Sequence, residues 1–125
     1  MAIYSEEVQM RNNGSEWSMY KVFDNQQTTA TSDPIDVRNA LGFSFVVVAS
    51  VGTTNGVVTV EGSHDSAFTG TWHAFDTLTT LEGNKIYLAG KDFSSAEMPV
   101  KYVRARITTA IGGGNVDVWV MVQRL

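Results

Sequence analysis

Cysteine is absent from this 125-residue chain, so a disulfide framework and a thiolate metal site are both excluded. Basic residues are scarce. The 9 Lys and Arg stand against 13 Asp and Glu, a net charge of −4, which argues against a general nucleic-acid binder. Long apolar runs are missing too. The longest, 45–49, is far short of a bilayer span, so no membrane partner is expected. The N-terminus holds Glu6 and Glu7 where a signal peptide would be basic, and no apolar stretch follows. The expectation is a protein made in a cytoplasm that leaves it only by lysis or assembly. Charged residues make up 18% and hydrophobic ones 43%, a folded composition of one-domain length. Asn13-Gly14-Ser15 matches a glycosylation sequon, but without a secretory signal chance explains it.

What the chain does have is β-branched residues: 16 Val and 13 Thr, with 11 Gly and 2 Pro. This density favours strands, and no window of helical length keeps an i, i+3, i+4 pattern. The clearest strand spans 115–123. Val116, Val118, Val120 and Val122 share a core face; Asp117, Trp119, Met121 and Gln123 share the other. Before it, 102–109 alternates Val103, Ala105 and Ile107 against Tyr102, Arg104, Arg106 and Thr108. The Gly-rich link 110–114 predicts a hairpin between the two. Segment 43–51 is apolar on nearly every residue, which predicts burial on both faces. Its outlet, 52–56, contains Asn55-Gly56 and reads as a second hairpin loop, returning through 57–61. A third pair, 72–78 and 86–89, flanks Glu82-Gly83-Asn84. Shorter strands are expected at 19–23 and 35–37, with a turn at Asp33-Pro34. These eight or so short antiparallel strands predict an all-β fold, a single jelly-roll-like β-sandwich over 18–125. The polar, patternless residues 1–17 read as an extended N-terminal arm.

No constellation for catalysis stands out. Ser63-His64-Asp65 cannot act as a relay, because adjacent residues of an extended chain point to opposite faces. His64 and His73 are the only imidazoles, with no zinc spacing around them, and ordinary surface or half-buried histidines are the favoured reading. Asp24, Asp33, Asp36 and Asp65 lack calcium-loop spacing. Gly112-Gly113-Gly114 lacks the Lys of a phosphate loop and reads as turn chemistry. The expectation is no enzyme, no cofactor and no metal. The stripe of Tyr102, Arg104 and Arg106 is too small for a nucleic-acid groove; pairing with carboxylates across strands, or an ion-pair patch toward a protein, fits it better. Trp72 is expected in the core. Trp119 lies opposite a filled core face and is a candidate for a subunit contact.

Two segments have a familiar strand-and-turn cadence. One is Val57-Val58-Thr59-Val60-Glu61-Gly62-Ser63-His64-Asp65 with Thr71-Trp72-His73. The other is Tyr102-Val103-Arg104-Ala105-Arg106-Ile107-Thr108 with Gly112-Gly113-Gly114 and Val116-Asp117-Val118-Trp119-Val120. Asp33-Pro34-Ile35-Asp36-Val37 ahead of an apolar strand fits the same pattern. Over roughly residues 22–123 the chain resembles small β-sandwich structural proteins of tailed bacteriophages. The loop 66–70 is longer than the common form. The resemblance implies a virion protein, with head decoration (cement) the leading role. The expected partners are the major capsid protein of the head and further copies of the chain, as a homotrimer. Interface candidates are Glu6, Glu7 and Trp17 on the arm, Tyr102, Arg104 and Arg106 on one strand, and Trp119 and Met121 on another. The alternatives are a neck, tail or fibre component, and a glycan-binding sandwich using Trp17 and Trp72.

Overall fold

Alternating Val and Thr segments build extended chain, and in a computed structural model they form ten strands among the described residues. Those residues are 7–12, 15–38, 40–64, 72–79, 81–93 and 100–124. The strands are β1 (Glu7–Asn12), β2 (Ser15–Gln26), β3 (Ala30–Thr31), β4 (Ile35–Asp36), β5 (Gly42–Ala49), β6 (Asn55–Ser63), β7 (His73–Leu78), β8 (Lys85–Phe93), β9 (Tyr102–Gly112) and β10 (Val116–Arg124). Every pairing is antiparallel. Sheet I has the order β1-β2-β10-β5-β8; sheet II has β3-β9-β6-β7, with β4 also on β9. The all-β sandwich is as the sequence predicts.

The pairings nest. β6 pairs with β7, β5 with β8, β3 and β4 with β9, and β2 with β10. The chain is one long antiparallel ribbon rolled up, and the contacts β5·β10 and β6·β9 close the two sheets. This is jelly-roll wiring. Between the sheets lie Phe23, Phe43, Phe45, Val47, Val58, Val60, Val103, Ile107 and the four valines of β10, all buried. Each such side chain contributes roughly 1.5–3 kcal/mol on burial.

Several expectations need correction. The described part of the segment read as an arm is strand: β1 is the edge of sheet I, and 15–17 open β2, so the boundary expected at 17/18 falls inside a strand. Residues 1–6, with Glu6, lie outside the described set. The strand expected at 35–37 is β4, and a second short piece that was not expected, β3, precedes it on the same partner β9. Pro34, which lacks an N–H, interrupts them, and the buried Ser32 spans the gap. Its N–H donates to the Ala105 carbonyl at 2.9 Å, and its Oγ accepts from the Ala105 N–H at 2.9 Å. Asn55-Gly56 is not the turn but the start of β6. Gly56 has φ +137° beside a register shift against β9, and a Cβ there would lie 2.5 Å from Ile111 Cδ1. The turn proper is 50–54, with Gly52 at φ +97°, and none of the three expected hairpins forms: β5 and β6, β7 and β8, and β9 and β10 lie in different sheets, so each of these links crosses between the layers. The 50–54 turn packs on the β9–β10 turn, where the Thr54 N–H donates to the Gly112 carbonyl at 2.8 Å.

The apolar run of β5 is buried on one face only. Phe43, Phe45, Val47 and Ala49 enter the core, while Ser44, Val46 and Val48 are half-buried on the outside of sheet I. Apolar residues on both faces made the strand read as central to two layers. The second layer on its outer side is not supplied by any described element.

Candidate functional site

The two outer faces of the sandwich carry the candidate residues, and they differ in kind. On sheet II, Glu61 of β6 sits directly opposite Arg104 of β9, and Thr59 opposite Arg106. Glu61 is buried, at 5% exposure. Its two oxygens are taken separately: Arg104 Nε donates to Oε1 at 2.7 Å and an Arg106 Nη to Oε2 at 3.2 Å. Trp72 closes the arrangement, with the Arg104 guanidinium 3.9 Å from its ring centroid, a cation–π distance. Trp72 is therefore half-buried on the outer face, not in the core as expected. It directly precedes β7 at the sheet margin, next to the Gly62–His73 pair of β6 and β7. The stripe read from the sequence as carboxylate-pairing does pair with a carboxylate. Its partner gave no signal in the sequence: Glu61 continues the outward polar phase of Val58-Thr59-Val60-Glu61, and only the β6·β9 register sets it opposite Arg104.

Next to this cluster, Tyr102 is buried at 6% exposure, with the Arg38 guanidinium 5.5 Å from its ring centroid. Arg38 also forks onto Asp36, at 2.6 Å for its closest contact. The Arg38 side-chain hydrogen bond holds the Asp36 carboxyl below its ordinary value, with burial opposing in part. On the opposite margin the rings of His64 and His73 stack with centroids 6.5 Å apart. Both are exposed, and the β6·β7 pairing brings them together. Among the described residues no group of three or more metal-ligating side chains converges. Of the candidate acids, Asp24 is paired with Lys21 at 3.0 Å and Asp36 with Arg38. Asp65 lies outside the described residues. Ser63 is buried and His64 exposed, the opposite orientations expected of neighbours in a strand.

The outer face of sheet I has another composition. Trp119 and Met121 of β10 stand between β5 and β2: Trp119 faces Val46 and Lys21, and Met121 faces Ser44 and Met19. Gln123 lies between Gly42 and Trp17. On the far side, Leu88 and Ile86 of β8 pair with Val46 and Val48. Trp17, Met19, Val46, Val48, Trp119 and Met121 are half-buried, by their sheet neighbours. Ile86 and Leu88, on the edge strand, are 70% and 64% exposed. Among the described side chains charge lies at one end, where Lys21 is 5.2 Å from the Trp119 ring centroid and 3.8 Å from Asp117. Of the interface candidates, Trp17, Trp119 and Met121 thus share one face, and Tyr102, Arg104 and Arg106 belong to the other sheet. Glu7 falls in β1, and its side chain lies outside the described set. Val46, Val48, Ile86 and Leu88 were missed as surface residues, because an apolar alternation reads as core from either side.

No family model matches the chain, and no curated protein matches it. Solved structures do. The SPBc2 prophage-derived protein YomS superposes with a TM-score of 0.61 at 15% identity, over 91% of this chain and 98% of that one. At that identity the likeness is one of fold: the two chains share a single sandwich across nearly their whole lengths. Infectious bursal disease virus, Gt strain, is matched at a TM-score of 0.41 and 15% identity, over 96% of this chain and 31% of that one, a likeness too slight to argue from.

Proposed function

We propose that this protein is a non-enzymatic structural component of a bacteriophage particle, working as a decoration protein on the outside of the head. The observation that carries the reading is the near end-to-end match in fold with a prophage-derived protein, which agrees with the strand-and-turn cadence of the sequence. The faces fit such a role. One outer face is a broad apolar sheet surface, and large exposed apolar patches mark interaction sites. A single small domain of this kind gains strength by repetition, since many copies on a symmetric shell bind with avidity. Its partners in this reading are the major capsid protein and other copies of itself. Glycan binding is disfavoured. Trp72 already carries the Arg104 guanidinium, and Trp17 and Trp119 lie on the other sheet, so the three rings do not line one groove.

The test is quantitative mass spectrometry of purified particles, separated into heads and tails. The expected result is this chain in the head fraction at a fixed ratio to the major capsid protein. Its absence from particles overturns the virion reading. Its presence with tails alone overturns decoration and leaves a neck, tail or fibre component.

A further inference from the structure

We infer that the outer face of sheet I is the contact between two copies of this chain, packed face to face about a two-fold axis with Trp119 and Met121 near its centre. The inference rests on the reading above for its setting, a protein used in repeated copies, and takes its geometry from the face itself.

Three observations favour a second copy as the occupant. The first is composition. Along β10 the outward residues run Asp117, Trp119, Met121, Gln123, polar at the ends and apolar in the middle. Val46, Met19 and Leu88 extend the apolar centre sideways. An apolar centre with aromatic and Met anchors inside a polar rim is the anatomy of a permanent interface, and interfaces between identical chains are the more apolar ones. The second is charge. The chain carries −4 overall, yet the one described cation of this face, Lys21, sits beside Asp117. Two copies can therefore meet here without opposing like charges, whereas a charged capsid surface would find no complement.

The third is area. Five strands about 4.8 Å apart, over about seven residues at about 3.4 Å each, make a face of about 24 by 24 Å, or roughly 600 Å². Two such faces in contact bury about 1,200 Å², at the lower bound of specific, stable interfaces. Sheets pack well in this way, about 10 Å apart with their side chains interdigitated. The geometry also selects the symmetry. A flat face that meets itself is isologous and closes as a pair, whereas a ring of three needs one patch to meet a different one. The contact proposed here makes a pair, where the resemblance implies a homotrimer.

The experiment is sedimentation equilibrium on the full chain, with Leu88→Glu and Thr108→Lys as variants. Leu88 and Thr108 are both exposed, on opposite sheets, so neither is needed for the fold; circular dichroism checks that both variants stay folded. The expected result is a two-chain mass for the natural sequence and for Thr108→Lys, with a dissociation constant raised about thirtyfold or more by Leu88→Glu. A monomeric natural chain, a three-chain mass, or a dimer indifferent to Leu88→Glu overturns the inference. Particle occupancy separates the two readings. A dimer absent from virions overturns the virion reading alone. A monomer present in virions overturns the pairing alone, and if Leu88→Glu then lowers occupancy, the face belongs to the capsid protein.

Discussion

On sheet II, the outward positions of two central strands hold Glu61, Arg104 and Arg106, bonded to one another beneath Trp72. On sheet I, the outward positions of the two central strands hold Val46, Val48, Trp119 and Met121. The backbone plan is the same and the consequence is opposite. The polar face satisfies its strongest groups internally, so binding a partner there must first compete with bonds already made. Val46, Val48 and Met121 have no side-chain hydrogen bonds to give up, and covering them removes apolar surface from water.

The comparison can be broken in several ways. The largest effect is expected beneath the faces. Phe45→Ala, in the core, should destabilise the fold by about 3–5 kcal/mol, and Val46→Ala, one residue away on the outside, by about 1 kcal/mol or less. Urea unfolding at low protein concentration measures both. Equal losses would make the outer face of sheet I a second core and end the distinction. Next comes Glu61→Ala, which strips the carboxylate from two guanidiniums and should cost about 2 kcal/mol. Most of that belongs to Arg104, because Arg106 is 41% exposed and solvent screens its share. The same unfolding experiment checks it, with association unaffected.

A smaller effect concerns Asp36. Its carboxyl should titrate below the ordinary value of 3.8, chiefly through the Arg38 side-chain hydrogen bond. A depressed carboxylate adds stability that is complete above the ordinary range and is lost as pH falls through it toward the folded value. NMR titration should place Asp36 low in the natural chain and back near the ordinary value in Arg38→Ala. The smallest effect is Thr59→Val. Its hydroxyl lies 3.5 Å from that of Thr77, at the limit of a hydrogen bond, so stability should move by no more than about 0.5 kcal/mol. A larger loss in a thermal melt would show that the polar face depends on its hydroxyls as well as its charges.

Most of the fold could be read from the sequence where one periodicity dominates. The Val alternation of β10 and the opposite facing of Trp119 follow from side-chain direction alone; the glycines between β9 and β10 marked a turn, but not that it crosses between the sheets where a hairpin was expected. β1 escaped because Val8 and Met10 alone alternate with polar neighbours, too short a period to tell a strand from a polar arm. β5 was misjudged on one face, since apolar character does not say whether a second layer exists to cover it. The Glu61–Arg104–Trp72 arrangement joins residues from three separate segments. Only its Arg stripe was legible; the partner depends on a register that side-chain pattern does not encode. The stacking of His64 and His73 was invisible for the same reason, because it follows from Gly62 pairing with His73.

The nested ribbon also orders events in time. Gly62 and His73 meet across 11 residues, whereas Tyr20 and Val120 meet across 100. Closing the outer loop costs about 2 kcal/mol more chain entropy than closing the inner one. The β6·β7 end can therefore zip early, while β2 and β10 join late, and a topology so rich in distant pairings folds on the millisecond-to-second scale. Until that last closure, the Val edge of β10 is open to any neighbouring chain. Yield on refolding should fall with concentration even where the finished protein is soluble.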